Sequence, residues 1–484
     1  MSEQAQWDST ISFIFAMIGV AVGLGNIWRY SYVVYTNGGG SFFIPYLFAI
    51  FLLGIPFLIL EYGIGFSFKT SFTEILKKIN PKFEYIAWIL VLFTFIVTIY
   101  YMVILGWDLV YLISSFTFNW GTDLGNYFIS NVGGSSNISD IGFLIIPTTV
   151  AVLVVWFILW FISNKDIDKG IGKASKILIP LLFIIMAVII VYALTLPGAS
   201  IGINALLHPK WNMLWDVNIW LAAFSQIIFS LACGEALALT YASYLPENSK
   251  LVDNVLLVVA SNCIFEICTA FGVFFILGYM SYTSGTALTE LISEGTGLIF
   301  IVFPTIFNIM GPVGRVLAPL LFLAILFAGV TLAFGLFEPM LSSTHDKFGW
   351  SRRKTTTVLC IVGCLISLVL TTGIRSYLVG IIDSFVNKFG VLFLIPIQAI
   401  IFGWIYGLDD IIPILNENSS IKVGKLWVVI IKYIAPVILF VLWFIGIIGL
   451  FKDASMFELA IDMIVMVSVL VVSYIFTNKK SSNG

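Results

Sequence analysis

The chain consists largely of apolar runs that are each long enough to cross a membrane. About 20 helical residues span the roughly 30 Å of hydrocarbon in a bilayer. The segment Phe183–Tyr192 is apolar on every face, whereas a barrel strand alternates in polarity. Since only helices and closed barrels satisfy their backbone groups in lipid, we predict an all-α, polytopic membrane protein. Twelve transmembrane helices are predicted near residues 9–35, 40–68, 84–117, 142–162, 167–195, 217–244, 249–282, 312–342, 352–372, 374–408, 428–450 and 456–477.

Composition supports this class and excludes several others. Hydrophobic residues make up 60% of the chain and charged residues only 10%, against about 25% in soluble proteins. The formal net charge of −2 indicates no nucleic-acid partner. The five cysteines all lie in predicted spans, and the two histidines lie far apart in predicted loops. We therefore expect no disulfide, no histidine-based metal centre and no enzyme active site.

The distribution of cations predicts how the chain is oriented. Most of the 24 lysines and arginines lie in loops on one side of the predicted spans or in the C-terminal tail. The opposite loops carry only Lys210, Arg315, Arg375 and Lys452. By the positive-inside rule, and with an even number of helices, both termini are expected in the cytoplasm. The expected location is the cell (inner) membrane, which the chain crosses many times.

Polar residues and glycines interrupt the first predicted span. Gly19, Gly23 and Gly25 fall within seven residues, and Asn26 and Arg29 follow inside the apolar run. One interpretation is a small-xxx-small packing face for a neighbouring helix. The other is that the helix unwinds here, and the amide and the guanidinium favour it. A dinucleotide-binding loop is excluded, because no strand precedes these glycines and no third glycine follows at the required spacing.

The sixth predicted span has a second interruption. An amide, a hydroxyl, a glycine and a carboxyl lie at mid-span, at Gln226, Ser230, Gly234 and Glu235. Breaks in helices 1 and 6 are typical of two inverted five-helix repeats with a binding site at their midplane. We predict the repeats at residues 1–195 and 196–410, with two further helices and a cytoplasmic tail at 411–484. Half-helix ends suit an amino-acid zwitterion together with cations.

Several motifs resemble one transporter family over nearly the whole chain. They are Ala21–Arg29 (AVGLGNIWR), Asn37–Gly40 with Pro45 and Tyr46, Ile99–Tyr101, Gln226–Ser230, Thr240–Tyr244, and the pair Asn262 and Glu266. Together they resemble the neurotransmitter:sodium symporter family, in its prokaryotic amino-acid branch with the leucine-transporter-type fold. The resemblance implies a sodium-coupled amino-acid symporter that works by alternating access. It implies one or two sodium ions, an amino-acid substrate and no organic cofactor, and it leaves the oligomeric state open.

The resemblance also implies ligands for sodium. The first site would use the Ala21 carbonyl and the side chains of Asn26, Ser230 and Asn262. Without the resemblance, Asn262 would be interpreted as a helix-to-helix hydrogen bond. The second site would use carbonyls of Gly19, Val22 and Ala328 and the hydroxyl of Thr331. A further hydroxyl is expected at the next position, which here is Leu332, so the second site lacks one ligand.

For the substrate, the resemblance implies two groups of residues. The carboxylate would meet the backbone at Leu24 and Gly25 and the Tyr101 hydroxyl, and the amine would meet carbonyls of Ala21, Phe229 and Ser230. The side-chain pocket would be lined by Val97, Phe229, Ala232, Glu235, Leu332 and Leu336. Glu235 departs from the family pattern, which commonly has an apolar residue there. Either Glu235 binds a distal amine or hydroxyl of the substrate, or it is a protonated or hydrogen-bonded structural group.

Glu266 lies one helical turn after Asn262 on the same helix face. The resemblance implies that its carboxylate replaces the chloride that other family members bind, near Tyr46, Gln226 and Ser230. We therefore expect chloride-independent transport. The alternative is a buried carboxyl in an unrelated structural bond.

Charged and aromatic residues match the gates of the family. Arg29 and Asp383 match the outer charge pair, and Tyr101 and Phe229 would form an aromatic lid over the substrate. Trp7, Ser243, Tyr244 and Asp346 match inner-gate positions. A sensor that binds an amino acid without transporting it would keep the same pocket. A channel would need a continuous polar path, which the two localised interruptions do not supply.

Overall fold

The computed structural model describes residues 6–135, 137, 140, 142, 144–292, 295–452 and 454–481, with the backbone alone described at Trp28. Within these residues the secondary structure is helical and contains no strand. The helices at the predicted spans are α1 (Thr10–Ala21), α2 (Leu24–Thr36), α3 (Gly39–Phe68), α4 (Phe83–Ser115), α5 (Ile146–Ser163), α6 (Asp168–Leu194), α7 (Val217–Ser230), α8 (Leu237–Ser243), α9 (Leu251–Ser284), α10 (Gly314–Phe348), α11 (Arg352–Val369), α12 (Arg375–Tyr406), α13 (Lys425–Phe451) and α14 (Met456–Asn478). Short helices lie in the connections at Phe72–Ile79, Leu124–Tyr127, Ala199–Leu207, Trp211–Trp215, Leu288–Leu291, Leu298–Met310 and Ile411–Glu417.

The helices coincide with the twelve predicted spans to within a few residues at most ends. Among the described residues, nine helices are each long and apolar enough to cross a bilayer, and the bent pair α1 and α2 makes a tenth span. The sixth predicted span is two short helices, α7 and α8. The ninth is α11, which begins with the cations Arg352, Arg353 and Lys354. The chain is thus a multi-pass membrane protein, and the inverted-repeat arrangement stays a prediction.

The first span breaks between α1 and α2. The helix axis bends by 59° at residues 22 and 23, where Gly23 is extended and caps the start of α2. Val22 ends α1 by donating its N–H to the Ile18 carbonyl at 2.7 Å. Each helix end leaves backbone groups without intrahelical partners, so polar groups are available inside the membrane here. The predicted unwinding is confirmed.

The sixth span breaks between α7 and α8, over residues 231–236. The φ angles of Ala232, Gly234 and Ala236 are +48°, +78° and +66°. Left-handed backbone is costly for alanine, so the packing around this segment has to maintain it. Gln398 contributes by donating from Nε2 to the Gly234 carbonyl at 2.6 Å.

Packing decides which helices are central. In their most apolar windows, α4 is 83% and α10 is 78% buried within the protein, against 22% for α13 and 17% for α14. α10 packs against α4, α6 and α1, while α9 packs against α1, α2 and α6. α7 and α8 both lie against α3. The two breaks are therefore enclosed by α3, α4, α9 and α10, and α13 and α14 present most of their surface outward.

Candidate functional site

A chain of buried hydrogen bonds joins the two breaks. Asn26 donates from Nδ2 to Oδ1 of Asn262 at 2.6 Å, and Asn262 donates from Nδ2 to Oγ of Ser230 at 2.6 Å. The Oδ1 atom of Asn26 accepts from the Gly23 N–H at 3.1 Å. These side chains belong to α2, α9 and the end of α7, and all three are buried. The four predicted residues of the first sodium site thus meet in one polar cluster, since Ala21 lies at the same break and accepts from Gly23 at 3.1 Å.

The start of α2 presents unpaired donors to open space. Leu24 and Gly25 are its first residues, so their N–H groups have no intrahelical partner. A Cβ atom built on Gly25 would meet nothing within 4 Å. The Tyr101 hydroxyl is buried without a hydrogen-bond partner and lies beside the Leu24 N–H. A helix N-terminus with an added hydroxyl is suited to binding a carboxylate.

The residues predicted for a second sodium site lie where α1 meets α10. A Cβ atom on Gly19 would be 2.8 Å from Cβ of Thr331, so the two helices touch there. Thr331 donates its hydroxyl to the carbonyls of Phe327 and Ala328, both at 2.9 Å. Val22, at the end of α1, is fully buried in the same region. Leu332 instead packs its apolar Cδ2 against Gly23, 2.8 Å from a Cβ built there, and brings no oxygen.

The residues predicted to line the substrate pocket come from three helices and one connecting segment around the breaks. Val97 and Tyr101 lie on α4, Phe229 and Ser230 end α7, Ala232 and Glu235 lie in the segment that follows, and Leu332 and Leu336 lie on α10. All are buried or partly buried. Thr94 of α4 donates its hydroxyl to the Glu235 carbonyl at 3.2 Å, which ties this segment to α4. The Arg29 guanidinium stands 5.1 Å from the centre of the Phe229 ring.

The Glu235 carboxyl has no hydrogen-bond or ion-pair partner among the described residues. The residue is 6% exposed, yet its two oxygens retain accessible surface. Two other acids, Asp383 and Glu61, lie close enough to interact with it electrostatically. Glu61 itself accepts the Gly234 N–H at 3.3 Å. No hydrogen bond from a described protein group to the Glu235 carboxyl is therefore observed, and the alternative of a protonated structural carboxyl stays a prediction.

Glu266 lies at the centre of a second polar cluster. The Tyr46 hydroxyl donates to Oε2 of Glu266, and Gln226 donates from Nε2 to Oε1 at 2.8 Å. The Ser230 hydroxyl is within reach of the same carboxyl. Gln226 also accepts from Arg29 at 2.9 Å, so the acid is linked to a cation through one amide. Ser230 belongs to both clusters and joins them.

Comparison with known proteins is consistent with this geometry. The model of the sodium:neurotransmitter symporter family matches residues 4–130 and 122–478, which is nearly the whole chain. This chain belongs to that family. A relative from Methanocaldococcus jannaschii, an uncharacterized sodium-dependent transporter, is 41% identical over 90% of this chain and 89% of its own length. The sodium-dependent serotonin transporter of Drosophila melanogaster is 29% identical over 92% of this chain and 76% of its own length.

Membership confirms the resemblance on which the site prediction rests. The sodium:neurotransmitter symporter family consists of sodium-dependent transporters, which are not enzymes. The protein is therefore a multi-pass membrane transporter with sodium as its coupling ion. The roles of individual residues and the identity of the substrate stay predictions.

The predicted outer-gate residues lie on α2 and α12. Arg29 donates to Gln226 and, at 3.2 Å, to the Ser225 hydroxyl. Asp383 accepts at 2.9 Å from Asn387, whose amide also reaches the Tyr100 hydroxyl at 3.0 Å. Arg29 and Asp383 are close enough to interact electrostatically.

Away from the predicted outer-gate residues, the segment before α1 packs against α8. Trp7 donates from Nε1 to the Tyr241 carbonyl and from its backbone to the Tyr244 carbonyl, both at 2.9 Å. Its ring meets the Tyr241 ring edge-on, with centroids 5.3 Å apart. Asp346 accepts from the Thr70 hydroxyl at 2.9 Å and from the Ser71 N–H at 3.0 Å. The hydroxyl of buried Ser243 returns to its own helix, at the Thr240 carbonyl. Hydrogen bonds and ring contacts thus join the segment before α1 to α8.

Sequence reasoning missed several residues at the site. Glu338 forms two hydrogen bonds with Arg352, at 2.6 and 2.9 Å, and accepts from the Tyr244 hydroxyl at 3.1 Å. Gln398 holds the second break, and Thr269 donates to the Asn26 carbonyl at 3.0 Å. An acid or an amide inside an apolar span is a detectable signal for Glu338 and Gln398. A threonine carries no such signal, because its hydroxyl commonly bonds its own helix.

Proposed function

We propose that this protein is an amino-acid symporter that is driven by sodium, does not need chloride and works by alternating access. The observation that carries the proposal is the buried chain Asn26–Asn262–Ser230, which joins the two helix breaks. Polar side chains inside a membrane protein are costly and mark substrate or ion pathways. Here they surround backbone groups that the breaks release, as expected of a site shared by an ion and a small polar solute.

The α-carboxylate of an amino acid matches the donors at the start of α2. The Leu24 and Gly25 N–H groups and the Tyr101 hydroxyl converge there, and all are without partners inside the helix or among side chains. The positive end of the α2 dipole favours an anion at the same point. The ammonium group in turn suits the carbonyl ends of α1 and α7, at Ala21, Phe229 and Ser230. This combination favours a zwitterion over an amine that lacks a carboxylate.

One or two sodium ions are proposed. The first ion would be held by oxygens of Ala21, Asn26, Ser230 and Asn262, completed by the substrate carboxylate. The second would use Gly19, Val22, Ala328 and Thr331. Because Leu332 contributes an alkyl group where a second hydroxyl is expected, we expect the second ion to bind more weakly than the first.

Chloride independence rests on Glu266. Its carboxyl receives the hydrogen bonds of Tyr46 and Gln226 and lies beside Ser230, so in its ionised form it supplies a negative charge next to the proposed first sodium. A bound chloride ion would supply the same charge and accept the same donors. A resident carboxylate makes the anion unnecessary.

Alternating access requires two ends that open in turn. The docked Trp7 segment, with Ser243, Tyr244 and Asp346, is proposed as the inner gate. Arg29 and Asp383, with the lid residues Tyr101 and Phe229, are proposed as the outer gate. We also propose two inverted repeats and a position in the cell membrane with both termini in the cytoplasm.

We further propose that Glu235 binds a donor group on the substrate's side chain. Its accessible, unpartnered oxygens support this proposal over a structural role in which protein groups hydrogen-bond the carboxyl. Uptake of lysine should then exceed uptake of norleucine, which has the same carbon chain without the amine. Glu235→Gln should reduce that preference about tenfold or more, since a hydrogen bond to a charged group contributes about 1.5–3 kcal/mol. An unchanged preference, with the exposed-site variant Glu290→Gln as the control, would return Glu235 to a structural role.

The decisive experiment is uptake of labelled neutral, aromatic and cationic amino acids into proteoliposomes. An inward sodium gradient is compared with a potassium gradient, and chloride is replaced by gluconate. Sodium-dependent accumulation that persists in gluconate is the expected result. Sodium-dependent binding without accumulation would favour an amino-acid sensor and contradict the symporter proposal.

A further inference from the structure

A cavity of about 380 Å³ lies away from the breaks, where α12 meets the end of α13 and the start of α14. Small-molecule sites generally occupy about 300–1,000 Å³. The polar groups around it are Ser376, Tyr377, Ser384, Lys388, Glu458 and Asp462. Charged side chains on membrane-spanning helices are rare and mark functional sites by default. One cation on α12 and two acids on α14 share this cavity.

Of the two acids, Glu458 already accepts hydrogen bonds at both carboxylate oxygens. Its Oε2 accepts the Ser455 N–H at 2.7 Å as part of the box that caps α14. Its Oε1 accepts from the Tyr377 hydroxyl at 3.3 Å. These bonds give Glu458 a structural role in starting α14 and in fastening α14 to α12.

Asp462 is the acid at the cavity that has no hydrogen-bond partner among the described residues. It lies one turn after Glu458 on the same face of α14 and is 5% exposed. One of its oxygens is enclosed without a partner, and the other retains accessible surface at the cavity. Leaving a buried charged oxygen unpaired costs several kcal/mol. A donor from a ligand would remove that cost.

Lys388 lies across the cavity on α12, one turn after Ser384, and is exposed. Within the part of the chain that the structure describes, no ion pair joins Lys388 to Asp462 or Glu458. One free anion and one free cation therefore face the same space without neutralising each other. A metal ion fits poorly, because the ammonium would repel it and no cluster of three metal-ligating side chains occurs among the described residues. A simple anion would be repelled by Asp462.

We propose that this cavity binds a zwitterion that carries a primary ammonium group and an acidic group, with the ammonium at Asp462 and the acidic group at Lys388. This chemistry is found in the ethanolamine headgroup of a phospholipid and in a free amino acid. The outward-facing position of α13 and α14 makes the bilayer a direct source. The cavity also lies beside the α12 turn that carries Asp383 and Asn387. Because the charge of Lys388 acts on Asp383, a bound ligand alters the electrostatics of the proposed outer gate.

The test uses the full chain in nanodiscs of phosphatidylethanolamine or phosphatidylcholine, which differ in whether the headgroup can donate N–H bonds. Thermal unfolding should occur several degrees higher in phosphatidylethanolamine. Asp462→Asn and Lys388→Gln should each remove most of that difference. Lys452→Gln, an exposed cation just outside the cavity, should keep it.

A second experiment tests whether the ligand is a free amino acid, using detergent-solubilised protein and millimolar glycine. Stabilisation by glycine that is lost in Asp462→Asn, without a lipid effect, would assign the site to free amino acids. Glycine stabilisation that survives in Asp462→Asn belongs to the central site and does not support the cavity. If both variants fold and no lipid or glycine effect depends on Asp462 and Lys388, the proposal is wrong.

Discussion

Replacement of Asn262 by alanine tests the central polar cluster most directly. The side chain accepts from Asn26 and donates to Ser230, both at 2.6 Å, in a buried position. Its removal leaves two buried partners unsatisfied, at about 1–3 kcal/mol each. We therefore expect Asn262→Ala to lower the free energy of unfolding by about 2–6 kcal/mol. The proposed sodium ion also loses one oxygen ligand, and a hydrogen bond to a charged group contributes about 1.5–3 kcal/mol of binding free energy. That loss weakens sodium binding about 10- to 150-fold.

The assay is thermal unfolding of the purified protein as sodium replaces potassium at constant ionic strength. An ion that binds only the folded state raises the unfolding temperature as its concentration exceeds the dissociation constant. For Asn262→Ala, the sodium concentration that gives half of the maximal rise should increase at least tenfold. Ser261→Ala is the matched control, because the Ser261 hydroxyl bonds only its own helix, at the Leu257 carbonyl. A sodium midpoint that stays within twofold in Asn262→Ala would show that this amide is not a ligand.

Three further predictions address the anion, the substrate and the inner gate. Glu266→Ala should reduce uptake at least tenfold in gluconate. Uptake by this variant should recover in chloride, because the anion can accept the hydrogen bonds that Tyr46 and Gln226 then have free. Failure of chloride to restore uptake would contradict the role assigned to Glu266. Tyr101→Phe should weaken amino-acid binding about tenfold in a sodium-containing binding assay while leaving the unfolding temperature of the empty protein unchanged, since the hydroxyl has no protein partner to lose. Trp7→Ala should speed maleimide labelling of buried Cys233 several-fold, measured in a variant whose other cysteines are replaced. The substitution removes the indole hydrogen bond and the ring contact that Trp7 makes with Tyr241 at the proposed inner gate. An unchanged labelling rate would argue against Trp7 as a gate residue.

The two helix breaks illustrate how far local sequence information reaches. Three glycines followed by an amide predict that the first helix unwinds, because glycine weakens helices and a buried amide needs partners. The bend between α1 and α2 follows that prediction. The second break is less evident, since two of its three left-handed residues are alanines. No local preference predicts that conformation; the bond of Glu61 to the Gly234 N–H and the bond of Gln398 to its carbonyl supply the support.

The sequence by itself determined the class of protein and the positions of the long apolar helices, but not those of the short helices in the connections. Those properties depend on apolar run length and on local helix breakers, which are read directly along the chain. Its motifs also indicated the family that the comparisons then confirmed. The tertiary structure decided which polar groups have partners. Asn26 and Asn262 lie 236 positions apart in the chain, so their contact exists only once α2 packs against α9. The free oxygens of Glu235 and the unpaired charges of Asp462 and Lys388 likewise appear only in the packed molecule, because whether a buried group is satisfied depends on neighbours that sequence spacing does not specify.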